Sequence, residues 1–279
     1  MTCMDLTDIL LPLKPGRDES AAMAIAGRLA RQHGARVRGL CLTPLPSLQT
    51  EDCYAFGASA IRQVMEHIDA DVVIRRAQVE RPFLAAMREA GCEHSWSATP
   101  PGELAAETAL RGRVADLVVL TRPGSKDGTD LPFAECIIRL SGAPCLLAPL
   151  GPGARDSFDH VAVAWNGSRQ AKRALDDALP FLEAAKRVTL LYAGHADSLH
   201  EPHADLVEHL ESKGIHPTVA LAAKGEHGPA HSLLDWCATH QVDLLVMGAF
   251  GHTPRAERWL GGTTWSVLTA ARLPVLMSC

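Results

Sequence analysis

Residues 246–268, VMGAFGHTPRAERWLGGTTWSVL, combine the residue types that bind phosphate groups. An apolar run ends at Met247, Gly248 and Gly251 follow with two residues between them, and Gly261-Gly262-Thr263-Thr264 comes after nine more residues, where an amphipathic helix pattern begins. Glycines let backbone N–H groups approach phosphate oxygens without a Cβ in the way, and a helix N-terminus adds free N–H donors and partial positive charge. The spacing therefore predicts an anion site in this loop.

Side chains of the same loop add further donors. His252, Arg255 and Arg258 lie between the glycines, where they could reach outer phosphates, and Thr263 and Thr264 contribute hydroxyl groups. The alternative interpretation is that the glycines only permit a tight loop and close helix packing. No residue here is an obvious nucleophile, so we predict no catalytic residue.

The loop belongs to the second of two matched series of strand and helix patterns. The apolar runs at 8–13 (DILLPL) and 160–165 (HVAVAW) are each followed by a Gly-containing turn and a long helix pattern, at 18–33 and 169–185. Three further runs recur in the same order, namely ARVRGLCLTP with KRVTLLYAG, ADLVVLTRPG with VDLLVMGAFG, and SGAPCLLAPL with AARLPVLMSC. Such a series indicates an internal repeat.

Strands that alternate with helices at this spacing predict parallel βαβ units. With HPTVALAA (216–223) as a further strand, we expect an α/β fold of two tandem doubly wound five-stranded parallel-sheet domains, each an open Rossmann-like sheet with helices on both faces. The boundaries would be 1–150 and 151–279, joined by a short linker. We also expect the two halves to pair through their last strands, because these apolar edges would otherwise promote aggregation.

The first half carries extra residues between its second and third strands. The segment 44–92 has helical patterning and predicts a long helix or a helix pair that packs over its own domain. Its charged residues Arg75, Arg76, Glu80 and Arg81 are interpreted as a solvated face.

Composition and charge exclude several classes of protein. The 279 residues are 47% hydrophobic and 21% charged, which is typical of a folded protein, and the net charge of −5 argues against nucleic-acid binding. The sequence has no apolar segment long enough to span a membrane, and the N-terminal stretch is acidic where a signal peptide would be basic, so we predict a cytoplasmic protein without membrane contact. The eight cysteines form no CxxC pair and are interpreted as reduced thiols.

The sequence lacks the motifs of several other enzyme and metal-binding families. The P-loop, α/β-hydrolase, zincin and GxGxxG patterns are all missing from the sequence. Thirteen histidines, among them His200, His203 and His209, suggest a metal site, but no established zinc spacing is present, so we predict none.

The sequence resembles the universal stress protein family in a tandem form. Nucleotide-binding members carry G-x2-G-x9-G-[ST] after the fourth strand, and Gly248, Gly251 and Gly261 match its glycines, whereas Gly262 replaces the Ser or Thr. Asn166 stands where the family has an acidic residue at the end of the first strand, and Ala193 stands where a backbone contacts the adenine.

The resemblance implies that the second half binds ATP or AMP, with Mg²⁺ as an optional companion. The implied binding residues are Ala164, Asn166, Ala193, Met247, Gly248, Gly251, His252, Arg255, Gly261, Gly262, Thr263 and Thr264.

The first half has lost most of this pattern. Thr121 and Leu131-Pro132 replace glycines of the motif, and Pro removes a donor N–H, so we interpret this half as degenerate. Weak anion binding by Arg122 and Lys126 is the alternative there. We expect one adenine nucleotide per chain.

The sequence leaves three classes of function open. The leading hypothesis is a regulatory or protective nucleotide-binding module that forms a homodimer and acts on a protein partner that the sequence does not identify. The alternatives are a slow ATPase or nucleotidyl transferase, for which Glu257 is the one carboxylate of the loop, and an interaction scaffold that binds no nucleotide.

Overall fold

The computed structural model describes residues 6–43, 58–100, 104–124, 130–151, 157–194, 202–223, 225, 227–251 and 262–279. The strands in these ranges are β1 (Asp8–Leu13), β2 (Arg36–Cys41), β3 (His94–Ala98), β4 (Leu117–Thr121), β5 (Cys145–Ala148), β6 (His160–Ala164), β7 (Arg187–Gly194), β8 (Thr218–Ala223), β9 (Leu244–Gly248) and β10 (Val275–Ser278). The helices are α1 (Ser20–His33), α2 (Ala58–Ala90), α3 (Leu104–Gly112), α4 (Asp130–Leu140), α5 (Arg169–Asp177), α6 (Leu179–Ala184), α7 (Pro202–Glu211), α8 (Pro229–Thr239) and α9 (Thr263–Ala270).

The ten strands form one sheet in the order β3-β2-β1-β4-β5-β10-β9-β6-β7-β8. Within each half all neighbouring strands are parallel, and the strand orders of the two halves mirror each other about the β5–β10 junction. This is the doubly wound arrangement that the sequence predicts, with the chain reversing direction beside β1 and β6. The predicted fold class is confirmed.

The two halves meet through an antiparallel pair of their last strands. Leu146 of β5 lies opposite Leu276 of β10, and both side chains are fully buried. These two residues hold equivalent positions in the repeat, so the junction has a pseudo-twofold axis between them. Pairing removes two apolar sheet edges, which confirms the prediction that the halves join through these strands.

Helices cover both faces of the sheet. Alternate strand residues point to opposite faces, and each face has one apolar core that runs through both halves. One core packs against α1, α2, α5, α6 and α7, and the other packs against α3, α4, α8 and α9. No helix in the described part of the chain is long and apolar enough to cross a membrane.

One helical segment differs from the sequence prediction, and another takes one of its two predicted forms. The segment predicted as one helix at 169–185 forms α5 and α6, because Pro180 has no N–H to continue the hydrogen-bond ladder across Ala178. In the first half, α2 is one long helix rather than a pair, although it contains Pro82. Residues 44–57 of the same segment lie outside the described residues.

Candidate functional site

The carboxyl ends of β6, β7 and β9 surround a cavity of about 240 Å³. The chain leaves β6 for β7 on one side, while β9 lies on the other, so the cavity is at the point where the strand order reverses. Open α/β sheets bind ligands at such points. Its lining consists of Ala164, Trp165, Asn166, Ser168, Leu191, Ala193, Pro229, Leu233, Met247, Gly248, Gly251, Thr263 and Thr264.

The loop after β9 starts under tight steric constraint. A Cβ on Gly248 would lie 2.5 Å from the backbone nitrogen of Ala171, so only glycine lets the first turn of α5 approach this closely. Phe250 has a φ of 55°, which is uncommon for a residue with a side chain. Its N–H donates to the Thr264 hydroxyl over 3.1 Å, which ties the loop to α9.

The N-terminus of α9 opens onto the cavity. Gly262 is the N-cap, and no side chain among the described residues caps the helix there. First-turn N–H groups of a helix lack intrahelical partners and favour an anion. Thr263 lines the cavity, and the buried Thr264 supports the loop through its bond with Phe250. Thr263 is therefore the better placed of the two hydroxyls for a ligand.

A polar turn forms the end of β6. The Asn166 side-chain oxygen accepts the N–H of Ser168 over 3.1 Å, and the Ser168 hydroxyl caps α5 by accepting the Ala171 N–H, also over 3.1 Å. The amide nitrogen of the exposed Asn166 side chain is then the group that could donate to a ligand.

The remaining wall is largely apolar. Leu191 and Ala193 come from the end of β7, Met247 from β9, and Pro229 and Leu233 from the first turns of α8. An apolar wall in the same cavity as the open N-terminus of α9 suits a ligand with an apolar group at one end and an anion at the other.

The structure brings eight of the predicted binding residues to this cavity: Ala164, Asn166, Ala193, Met247, Gly248, Gly251, Thr263 and Thr264. Gly262 lies beside them as the N-cap of α9. His252, Arg255 and Gly261 lie outside the described residues.

Sequence reasoning missed five lining residues, namely Trp165, Ser168, Leu191, Pro229 and Leu233. Trp165 both packs against the core and lines the cavity. Ser168 carried a usable signal, because it follows Asn166-Gly167 and precedes a helix pattern as an N-cap does. Pro229 and Leu233 lack such a signal, since their place depends on how α8 packs.

The described lining side chains include no carboxylate, histidine, lysine or arginine. General acid–base catalysis requires such a group within hydrogen-bond reach of the substrate. Across the described ranges there is also no group of three or more histidine, cysteine or acidic side chains that could hold a metal ion. His200, of the predicted histidine-rich loop, lies outside those ranges. The described lining of the cavity therefore offers no side chain for acid–base chemistry.

At the N-terminus of α4, the first-half counterpart of α9, charged side chains of the chain itself form an ion-pair cluster. Lys14 Nζ lies 2.9 Å from one Asp130 carboxylate oxygen, and Arg17 Nη1 lies 2.8 Å from the other. Asp130 is the first residue of α4, so its carboxylate lies at the helix N-terminus, where an anion is favoured. Two cavities adjoin Asp130, one of about 110 Å³ and a more open one of about 460 Å³ towards Gly124 and Leu150.

A buried carboxyl group lies next to this ion pair. Burial raises the pKa of Glu19, although the Thr121 hydroxyl donates a hydrogen bond to its carboxylate. The predicted alternative of an anion held by Arg122 finds no support, because Arg122 donates across the junction to the Thr269 carbonyl. Burial, aided by the nearby positive charges of Arg17 and Arg272, lowers the pKa of Arg122. Lys126 lies outside the described residues.

Comparisons with known proteins identify relatives of the second half. The sequence model of the universal stress protein family matches residues 157–278. No curated protein sequence matches the chain.

Solved structures resemble the whole chain. A universal stress protein from Archaeoglobus fulgidus matches over 98% of this chain and 96% of its own, with a TM-score of 0.77 and 17% identity. A functionally unknown protein from Pseudomonas aeruginosa matches over 98% of this chain and 92% of its own, with a TM-score of 0.57 and 14% identity. At these identities the likeness shows the fold alone.

A third structure, a universal stress protein in complex with cAMP, matches 44% of this chain and 98% of its own. Its TM-score is 0.39 at 21% identity, which is too slight a likeness to assign its ligand here.

Proposed function

We propose that this chain, whose residues 157–278 match the sequence model of the universal stress protein family, is a member of that family, binds one adenine nucleotide and acts as a regulatory or protective binding module. The observation that carries the proposal is the meeting of two features at one cavity. The N-terminus of α9, with no side-chain cap among the described residues, lies beside a glycine loop, and an apolar wall faces them.

The nucleotide would lie with its base against the apolar wall and its phosphates at α9. Leu191, Ala193 and Met247 offer contacts to a base, and the Asn166 amide offers a donor to the sugar. The Thr263 hydroxyl and the first N–H groups of α9 would receive the phosphates. Either ATP or AMP fits this scheme, because both have a base and a phosphate chain.

Binding, rather than turnover, is the activity that this site supports best. A slow ATPase or nucleotidyl transferase would need a general base or carboxylates for Mg²⁺. The described lining side chains supply neither. An interaction scaffold without nucleotide would leave the cavity and the open helix terminus without a role.

The proposal assigns different tasks to the two halves. Residues 151–279 would form the nucleotide-binding domain, and residues 1–150 would form a degenerate domain whose anion position is filled by Asp130. We include in the proposal a cytoplasmic location and a homodimer of the whole chain.

The decisive variant exchanges the loop glycines of the second half for their first-half counterparts, as Gly261→Leu with Gly262→Pro. Gly262 has φ −50° and ψ 153°, angles that proline adopts, so the fold is expected to survive. The change blocks the approach of phosphate and removes an N–H donor at the helix start. Loss of two charge-assisted hydrogen bonds weakens binding by about two to four orders of magnitude.

Isothermal titration calorimetry with ATP measures this effect, and circular dichroism checks the fold. The matched control is the reverse exchange in the first half, Leu131→Gly with Pro132→Gly, for which the affinity should stay at the wild-type value. A folded loop variant that binds ATP as wild type does would contradict the proposed phosphate position.

A further inference from the structure

An arginine of the first half contacts the loop that follows β9 in the second half, which is the loop proposed to bind phosphate. Arg139, in the last turn of α4, places its guanidinium 3.7 Å from the centre of the Phe250 ring. Phe250 lies between the two glycines of the loop and is 5% exposed. A cation over an aromatic face is attracted to it, and more strongly where water is excluded.

The reverse contact exists on the other side of the junction. Arg122, in the loop after β4, donates to the carbonyl of Thr269 in the last turn of α9. Thr269 is the repeat counterpart of Arg139, separated from it by the same number of residues as Leu276 is from Leu146. The last turn of α4 thus contacts the loop after β9, and the last turn of α9 contacts the loop after β4. The pseudo-twofold axis relates these two contacts to each other.

The Phe250 backbone needs support from outside the loop. Its φ of 55° is one that residues with a Cβ adopt at a cost, and such conformations persist where the surroundings hold them. Two contacts hold it here: Thr264 accepts its N–H, and Arg139 covers its ring. Arg139 is itself oriented by Glu135, whose carboxylate lies 2.9 Å from its Nε.

We propose that Arg139 of the first half is a positioning residue for the phosphate-binding loop of the second half. This inference rests on the proposed function, because it is the phosphate end of the site that the loop would shape. It gives the degenerate half a task in ligand binding, since a second-half domain alone would lack the arginine that holds its loop.

The test compares Arg139→Leu with Arg111→Leu in the full chain. Arg111 is the matched control, because it lies on α3 and forms the same i,i+4 pair, with Glu107 at 2.7 Å, while its Nη1 donates to Ser97 of β3, at the far edge of the sheet. We expect Arg139→Leu to weaken ATP binding by about fivefold to thirtyfold, from the usual strength of a desolvated cation–π contact. Adenosine, which has no phosphate, should bind both variants as it binds wild type.

Two further variants separate positioning from general damage. Arg139→Lys keeps a cation and should recover part of the ATP affinity. In a Phe250→Leu background, Arg139→Leu should cause no additional loss, because the ring that it covers is gone.

Three results would overturn the inference. These are equal ATP affinities of Arg139→Leu and Arg111→Leu, equal losses of ATP and adenosine in Arg139→Leu, and a full additional loss in the Phe250→Leu background. If wild type binds neither ATP nor adenosine, the proposed function itself fails and this inference fails with it, an outcome distinguishable from the other three.

Discussion

Gly248 packs against the first turn of α5 more closely than any side chain permits. Its virtual Cβ lies 2.5 Å from the Gln170 carbonyl carbon and from the Ala171 nitrogen, both of them backbone atoms that cannot rotate away. Gly251 differs, because the nearest atom to its virtual Cβ is the Gln170 side-chain oxygen at 3.4 Å. One glycine of the motif is thus required by helix packing, and the other lines the cavity with room beside it.

This difference predicts unequal costs for two alanine substitutions. Gly248→Ala should lower the free energy of unfolding by about 1–3 kcal/mol, because the added methyl group forces α5 away from β9. Gly251→Ala should change it much less, since the end of the Gln170 side chain can move. Urea denaturation of both variants measures the difference. Equal destabilisation of the two variants would contradict the interpretation that helix packing requires a glycine at position 248.

Residue types and spacing allowed most of the described site to be predicted. The sequence signals were local: the glycines and threonines after β9, and the Asn at the end of β6. Each of these sets lies within one short segment of the sequence. Leu233 and Pro229 could not be found in this way. They reach the cavity only because α8 crosses that face of the sheet, and such packing has no local sequence signal.

Among the secondary-structure elements, α4 and α9 show how one repeat unit has taken two forms. Both helices begin after the fourth strand of their half, but α4 begins with Asp130 and α9 with Thr263 after a glycine cap. The carboxylate of Asp130, paired with Lys14 and Arg17, provides α4 with an internal anion. The two positive side chains therefore neutralise a residue of the chain instead of a phosphate.

Removal of this carboxylate should create an anion site. Asp130→Ala leaves Lys14 and Arg17 beside an open helix terminus, and we expect a loss of about 1–3 kcal/mol of stability from broken charge-assisted hydrogen bonds. Sulfate should restore more of that stability than it adds to wild type. Thermal unfolding in sulfate and in chloride at equal ionic strength measures this.

The matched control is Asp159→Ala, which breaks an exposed pair with Lys186. Sulfate should stabilise this control no more than wild type. A sulfate response of Asp130→Ala that equals the response of the control would contradict the internal-anion interpretation.

Apolar runs predicted most strands, because strands buried on both faces of a parallel sheet need continuous hydrophobic residues. The edge strand β3, HSWSA, was not placed by this signal, since half of it faces solvent. The interruption between α5 and α6 was also missed. Pro180 was visible in the sequence, but a proline does not always end a helix, as α2 continues through Pro82, so the break could not be predicted from the proline alone.

At the scale of the whole molecule, one sheet joins two halves that differ in their sites. The β5–β10 pair places equivalent residues opposite each other, as a symmetric dimer would. The sequence predicted this junction because two apolar edges required cover. It could not predict that the junction brings Arg139 to Phe250, since this contact depends on the angle between the halves and joins residues more than a hundred positions apart.

The asymmetry predicts how many nucleotides the chain binds. The second half has a cavity beside an open helix terminus, whereas in the first half the chain's own Asp130 carboxylate occupies the helix terminus. A triphosphate needs several convergent donors, and the first half has committed Lys14 and Arg17 to Asp130. The halves should therefore differ in affinity by orders of magnitude.

The most direct test is calorimetric titration of the full-length chain, freed of any bound ligand, with ATP and with AMP. We expect saturation at one equivalent of nucleotide per chain. Saturation at two equivalents with similar affinities would contradict the internal anion of the first half, and the absence of any binding would contradict the proposed function.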